Sequence, residues 1–263
     1  MVLRRDRDGV LAVGQPAHAW LCGQLARAWG NARFGAVTPR DEVALGAEQH
    51  DVGMAAWDLN PAFNPETGLP QSFLEMAPED NVALWREGPV RLASQSRYAA
   101  LLAMMHGRRL YERHDLAGAP AARARAIRAF LEEARAFEAT MLGALRADPA
   151  TAPFAAPERV ERNSRLVWTW DSISLALLLD WAPTTLAAVP TADGATVDVA
   201  MEARGGTEAR LDPWPFPTPT PVRLHCEGRR LTGRFTDPAA LTEGLARAPW
   251  ESVSFTLVPG AGV

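Results

Sequence analysis

The sequence predicts a mainly α-helical domain followed by a small β-rich module. Through residues 1–185, apolar side chains recur at helical spacing in several long segments. From residue 192 to residue 263, apolar and polar side chains alternate with a period of two, which is typical of half-buried strands. We therefore expect a helical domain over 1–185 and a β-rich module over 192–263 that packs on it.

The first two helices are predicted from their apolar spacing and their ends. Trp20, Leu21 and Leu25 recur at helical spacing between Gln15 and Trp29. Thr38-Pro39-Arg40-Asp41 has the form of a helix start, with proline at the first helical position and an acid in the first turn. The second helix is predicted to run from about Pro39 to Trp57.

Three further helices follow an irregular segment. Residues 58–89 contain repeated Pro, Gly, Asn and Asp, which predicts an ordered but irregular connection. Ser94 or Ser96 is expected to cap a third helix that continues to about Glu112. An amphipathic helix over 119–145 and a fifth helix over 157–179 complete the domain.

The C-terminal part carries the strand pattern. Period-two alternation predicts strands at Thr196–Met201, Val222–Cys226, Leu231–Phe235 and Val253–Leu257. The segment Trp214–Pro219 is expected to be extended and stiff, because each proline restricts itself and the residue before it.

Composition excludes several classes of function. The net charge of −4 and the pI near 5.8 argue against a nucleic-acid-binding surface. All 27 basic residues are arginine, which excludes a Schiff-base lysine and a Walker-type lysine. With two distant cysteines, no secretory signal and no apolar run of about 18 residues, we expect a cytoplasmic protein without a disulfide framework or membrane span.

The predicted helices bring metal-binding groups to inward faces. His18 lies on the first helix, the adjacent His50-Asp51 pair on the second, and Asp171 on the fifth. A buried charge needs a partner, and imidazole with carboxylate suits a divalent transition metal such as Fe, Mn, Co, Ni or Zn. Two His and two Asp would leave positions open for water and a substrate oxygen.

This arrangement resembles the HD-domain superfamily of metal-dependent phosphohydrolases. The likeness is carried by the lone His18, the apolar run ending in His50-Asp51-Val52-Gly53, and the later Asp171, and it covers roughly residues 10–180. It implies an HD-domain-like helical bundle, and it implies that His106 could help bind a second ion, with Asp51 bridging the two. Met54 stands where many members have lysine, so the role of that lysine is not carried over.

The chain also resembles, more narrowly, an uncharacterised bacterial family related to HD domains. This second likeness spans nearly the whole chain and implies no activity. It is carried by the motifs Gln15-Pro16-Ala17-His18, His50-Asp51-Val52-Gly53, Met105-His106-Gly107, Trp170–Leu175 and Pro213–Phe216.

The leading functional prediction is a metal-dependent hydrolase that acts on a phosphate ester or nucleotide through a metal-bound hydroxide. Asp51 and Glu48 are the predicted catalytic residues, and Arg97 the predicted contact to a small anionic substrate. Two alternatives stay open: an HD-type di-iron oxygenase, and a non-catalytic metal-binding or regulatory protein. His114 and His225 are interpreted as structural or exposed, and a homodimer through the Pro-rich β tail is left open.

Overall fold

The computed structural model describes residues 1–260, which form nine strands and eight α-helices. None of the helices in this range is long and apolar enough to cross a membrane. The elements, in chain order, are β1 (Val2–Asp6), β2 (Gly9–Val13), α1 (Gln15–Ala28), α2 (Arg40–Glu48), α3 (Ala55–Leu59), β3 (Phe63–Asn64), β4 (Leu69–Pro70), α4 (Pro78–Leu92), α5 (Arg97–Glu112), α6 (Ala121–Ala147), α7 (Pro157–Leu179), β5 (Thr184–Pro190), β6 (Thr196–Gly205), β7 (Glu208–Asp212), β8 (Val222–Leu231), α8 (Pro238–Arg247) and β9 (Trp250–Pro259).

A seven-stranded sheet is a major part of the fold, so the predicted fold class, a mainly α HD-like bundle with a small β module, is wrong. About 48% of the chain is helical, but 22% lies in strands, and the sheet curls like half a barrel. Its strand order is β1-β2-β8-β9-β7-β6-β5, with the N-terminal hairpin at one edge. All neighbours are antiparallel except β7 and β9, which are parallel. The division at residues 185–192 stays a prediction.

The N-terminal hairpin escaped prediction because a buried arginine interrupts its apolar alternation. Arg4 occupies an inward position of β1 and is 7% exposed. Its guanidinium donates hydrogen bonds to the carbonyl oxygens of Leu177 and Leu178, at 2.7 and 3.2 Å. The last carbonyls of a helix lack partners within the helix, so Arg4 satisfies the end of α7 and ties it to the sheet.

The second helix is shorter than predicted. α2 ends at Glu48, where the Gln49 N–H donates to the Leu45 carbonyl, and His50 and Asp51 lie in the turn that follows. A short 3-10 turn over Val52–Met54 then leads into α3. The apolar spacing of this stretch is helical, but the backbone turns where α4 packs on it.

The segment predicted to be irregular contains a helix. α4 starts at Pro78, with Glu79 and Asp80 in its first turn, which is the same start signal that predicted α2. Its backbone approaches the turn after His50-Asp51 closely, because a Cβ on Gly53 would lie 2.2 Å from the Leu84 carbonyl oxygen. Glycine is therefore required at this position.

The remaining helices and part of the strand pattern agree with prediction. α1, α5, α6 and α7 lie within a few residues of their predicted bounds, and the Ser96 hydroxyl caps α5 by accepting the Ala99 N–H at 3.2 Å. β6, β8 and β9 contain three of the predicted strands. The fourth, Leu231–Phe235, is wrong, since β8 ends at Leu231.

The main core lies between the sheet and helices α1 and α7. α1 packs against β8, and α7 packs against β1 and β5. The Pro-rich segment closes one end, with the Phe216 ring edge-on to Trp29 at 5.7 Å and Trp29 edge-on to Trp170 at 5.8 Å. Side chains with at most 1% exposure from both layers include Leu21, Leu25, Trp170, Ile173, Leu178, Leu224, Phe255 and Leu257.

Replacing Gly107 by alanine tests how closely α4 packs on α5. A Cβ there would lie 2.6 Å from Trp85 Cε3, and the Trp85 ring is buried. Because the ring must shift, we expect Gly107→Ala to lower the free energy of unfolding by about 1–3 kcal/mol, measured by urea denaturation.

Gly143 provides the matched control for this prediction. It lies in α6, where a Cβ would meet no atom of residues 1–260 within 4 Å, so Gly143→Ala should raise the free energy of unfolding by about 0.5–1 kcal/mol. Equal effects of the two substitutions would contradict the tight contact at Gly107.

Candidate metal centre

His18 projects from the first turn of α1 towards both predicted aspartates. Its Nε2 lies 3.1 Å from Asp171 Oδ1 and 3.3 Å from Asp51 Oδ2. Its Nδ1 lies 2.5 Å from Ser174 Oγ, and that hydroxyl lies 3.0 Å from the Asp171 carbonyl oxygen, to which it donates. A proton on Nδ1 completes this chain of hydrogen bonds, so Nε2, which faces the carboxylates, is the nitrogen that would bind a metal ion.

His50 presents its Nε2 to the same aspartates. Its Nδ1 lies 2.7 Å from the Ala47 carbonyl oxygen and donates to it, which fixes the ring. The buried Nε2 has no hydrogen-bond partner and lies 3.5 Å from both Asp51 Oδ2 and Asp171 Oδ1. A histidine whose other nitrogen donates to a carbonyl is the usual form of a metal ligand.

His106 completes the cluster from α5. Its Nε2 lies 4.0 Å from Asp171 Oδ2, and its ring centroid lies 4.6 Å from that of His50. The rings of Trp85 and Trp168 contact it, with centroids 5.6 and 5.4 Å away. His106 is thus held among aromatic rings at one side of the two carboxylates.

The charges of the cluster are coupled. Burial disfavours a charge on His18, but hydrogen bonds and attraction from Asp171 and Asp51 outweigh it and raise its pKa to about 9. Burial also opposes ionisation of Asp171, yet the hydrogen bond from His18 and the nearby imidazoles of His50 and His106 lower its pKa. For His106, burial and repulsion from His50 lower the pKa to about 4. The carboxylates are therefore ionised, His18 is protonated and His106 is neutral, so a metal ion at this site would displace the Nε2 proton of His18.

The buried groups of this cluster could hold a metal ion. Ligand atoms of His50, His106 and Asp171 lie within 4.8 Å of one another, and so do those of His18, Cys22 and His50. The two sets share His50. Burial raises the pKa of the Cys22 thiol well above its ordinary value, so Cys22 is neutral here and the imidazoles and carboxylates are the better donors.

A cavity of about 150 Å³ opens onto the cluster. Several residues that line this cavity were not predicted to be near the site. Phe73, Asn81 and Trp85 lie in the segment interpreted as irregular, and His114 was interpreted as structural or exposed. The lining residues outside the cluster include Gln15, Met54, Phe73, Asn81, Trp85, Leu110, Tyr111, His114 and Leu175. Gln15 Nε2 and Asn81 Oδ1 are buried without a hydrogen-bond partner, so both can bind a ligand.

Two predicted site residues lie outside this cavity. Glu48 forms an ion pair with Arg27 beside α1. Arg97 pairs with Asp148 at 2.8 Å between α5 and α6. Neither lines the cavity, so the structure does not bring them to His50 and Asp51. Their sequence positions suggested proximity, but Glu48 points from the last turn of α2 towards α1, and Arg97 lies more than two turns before His106.

Comparison with known proteins identifies a family but no characterised relative. No curated protein and no solved structure matches the chain. The profile of a family described as "Protein of unknown function (DUF3891)" matches residues 1–233, which include the whole cluster and most of the sheet. The chain therefore belongs to the DUF3891 family.

Proposed function

We propose that the cluster binds one or two divalent transition metal ions and that the protein is a metal-dependent hydrolase of a phosphate ester or nucleotide. The observation that carries this proposal is the convergence of the carboxylates of Asp51 and Asp171 with the Nε2 atoms of His18 and His50 in a buried cluster. The proposed substrate is a small anionic molecule, and the proposed location is the cytoplasm.

Charge balance supports the metal. Asp51 and Asp171 are 5% and 7% exposed, and among residues 1–260 their only partners within 4 Å that can carry positive charge are histidines. Two buried carboxylates without arginine need compensation. Protonated His18 offsets one of these two charges, and a dication with neutral imidazole ligands would offset both.

The donor set fits Fe, Mn, Co, Ni or Zn. When bound, such an ion supplies Lewis acidity, which polarises a phosphoryl oxygen and makes water more acidic. Asp51 and Asp171 each offer two oxygens, so either can serve two ions, whereas each histidine offers one nitrogen. His106 approaches Asp171 Oδ2, whereas His18 approaches Oδ1, so His106 could help to hold a second ion.

The remaining polar groups of the cavity would orient the substrate. Gln15 Nε2 can donate to a substrate oxygen, and Asn81 Oδ1 can accept from a hydroxyl or water. Trp85 and Met54 form an apolar part of the cavity wall. The cavity therefore has hydrogen-bonding groups and an apolar wall, and this combination suits the binding and hydrolysis of an ester.

The order of the ligands along the chain supports a phosphoryl substrate. A lone His18, then His50-Asp51, then Asp171 resembles the HD-domain superfamily of metal-dependent phosphohydrolases. Gly53 of the same motif has a physical role in this chain, because it admits the Leu84 carbonyl and so lets α4 carry Asn81 and Trp85 to the cavity.

The metal content of purified variants tests the cluster directly. We expect wild-type protein to carry a transition metal in near-stoichiometric amount and Asp51→Ala to carry almost none, because a carboxylate supplies both an oxygen ligand and negative charge. Elemental analysis by mass spectrometry measures metal per chain, and circular dichroism checks the helices. Asp148→Ala removes a surface carboxylate as the control. A folded Asp51→Ala protein with full metal content would refute the site.

Ser174 tests whether His18 is held as a ligand. Its hydroxyl contacts His18 Nδ1, and loss of such a partner typically weakens metal binding about 10- to 100-fold. We expect this loss in Ser174→Ala, measured by competition with a chelator of known affinity. Ser172→Ala is the control on the same helix, since Ser172 Oγ donates to the Trp168 carbonyl instead. Equal metal affinity in both variants would contradict the assigned role.

Phosphate release tests the reaction. We expect metal-loaded wild-type protein to release phosphate from at least one member of a panel of phosphate esters and nucleotides. The activity should disappear on chelation, return on adding metal back, and be absent in Asp51→Ala. Metal-loaded protein that hydrolyses no member of the panel would favour a non-catalytic metal protein, and oxygen consumption by an iron-loaded form would favour an oxygenase.

A further inference from the structure

A second cleft, of about 610 Å³, adjoins the cavity at the metal cluster. The two spaces share Leu110, Asp171 and Leu175 as lining residues. The cleft runs along α7 and is closed on its other side by β5. A volume of about 150 Å³ holds a reacting group and little else, so the rest of a substrate must extend into this cleft.

The charge of this cleft is strongly asymmetric. Arg109, Arg113 and Arg165 line it, and Asp171, at the end that meets the cluster, is its one acidic lining residue. Arg109 and Arg165 both pair with Glu161, at 3.1 and 2.8 Å. The outer part of the cleft is therefore positive, although the chain as a whole has a net charge of −4.

Arg113 differs from the other two arginines. Within residues 1–260 it has no carboxylate within 4 Å, and its Cζ lies 4.2 Å from the centroid of the Trp168 ring. The Trp168 ring in turn contacts His106. A guanidinium held on an aromatic face keeps its N–H donors available, so Arg113 is placed one ring away from the cluster with its donors free.

Strand β5, which closes the cleft, contains a β-bulge. The register between β5 and β6 shifts between Leu186 and Val189, and Ala188 within this bulge has a φ of 54°. A left-handed alanine is disfavoured, and such bulges commonly occur beside binding sites. Ala187 and Ala188 line the cleft together with Trp181, which gives an apolar wall opposite the arginines.

From these observations we infer that Arg113 binds an anionic group of the substrate at a distance from the reacting bond. The substrate is then an organic molecule with two ends: one reacts at the cluster, and the other carries a carboxylate or a phosphate that meets Arg113. The apolar body between them lies against Trp181 and the β5 bulge. This inference rests on the proposed function, because it places the reacting end at the metal cluster.

A purely structural role for Arg113 makes a different prediction. Arg113 follows the last residue of α5, where its positive charge interacts favourably with the helix dipole. In that case, its removal would lower the stability of the protein slightly and would not discriminate between ligands. The two roles are separated by comparing ligands that differ in a single anionic group.

The probes are phenylphosphonate, 4-carboxyphenylphosphonate and 1,4-phenylenebisphosphonate, which share one phosphonate and differ at the far end of the ring. Binding to the protein as purified, with its metal content measured, is followed by calorimetry. We expect wild-type protein to bind at least one doubly anionic probe about tenfold more tightly than phenylphosphonate. The carboxylate and bisphosphonate arms show which anion the cleft prefers.

Substitutions then test whether Arg113 causes the preference for doubly anionic probes. Arg113→Ala and Arg113→Gln should lose the tenfold preference, and both should keep the wild-type affinity for phenylphosphonate and the wild-type metal content. Arg91→Ala, which removes an exposed arginine paired with Glu87 on α4, should keep the preference. Thermal unfolding confirms that each variant is folded.

The outcomes separate the two proposals. If wild-type protein carries metal and binds phenylphosphonate but shows no preference for a second anion, or if the preference survives in both Arg113 variants, the inference about Arg113 is wrong and the metal centre stands. If wild-type protein carries no metal and binds none of the probes, the proposed function and this inference both fail.

Discussion

The central constraint on this structure is the proximity of two buried carboxylates, Asp51 and Asp171. Both carboxylates lie within 3.3 Å of one nitrogen of His18, and two like charges so placed in a protein interior are costly without compensation. Three imidazoles surround them, and His18 contacts both through a single nitrogen. Protonated His18 offsets one charge of the pair, and the buried Nε2 atom of His50 has no hydrogen-bond partner within the protein.

Close backbone packing holds the cluster together. The turn that carries Asp51 can approach α4 because Gly53 has no side chain, and α5 can approach the Trp85 ring because Gly107 has none. On α7, Asp171 and Ser174 face the cluster, while the neighbouring Trp170 belongs to the main core. One face of α7 thus contributes to the cluster and another to the main core. A change in the packing of α7 would therefore shift Asp171 and Ser174.

The sequence predicted which residues form the cluster better than it predicted the architecture around them. His18 and Asp171 lie on helices whose apolar periodicity is long and regular, so their inward faces could be inferred. The end of α2 could not be inferred, because the apolar spacing around His50 stays helical although the helix ends at Glu48. Glu48, the last residue of α2, pairs with Arg27 on α1. The N-terminal hairpin was missed because Arg4 occupies a core position, and its partners at the end of α7 are about 170 residues away.

The sheet changes what the cluster can do. In a helical bundle with a separate β module, the face of α7 beyond Asp171 would be covered by another helix or by solvent. In this fold the chain returns after α7 as β5, and the bulge at Ala188 leaves a cleft between strand and helix. The cleft receives its arginines from α5 and α7 and its apolar wall from the sheet. Helices α5 and α7 thus contribute to both the cluster and the cleft, the sheet contributes only to the cleft, and the two spaces meet at Asp171.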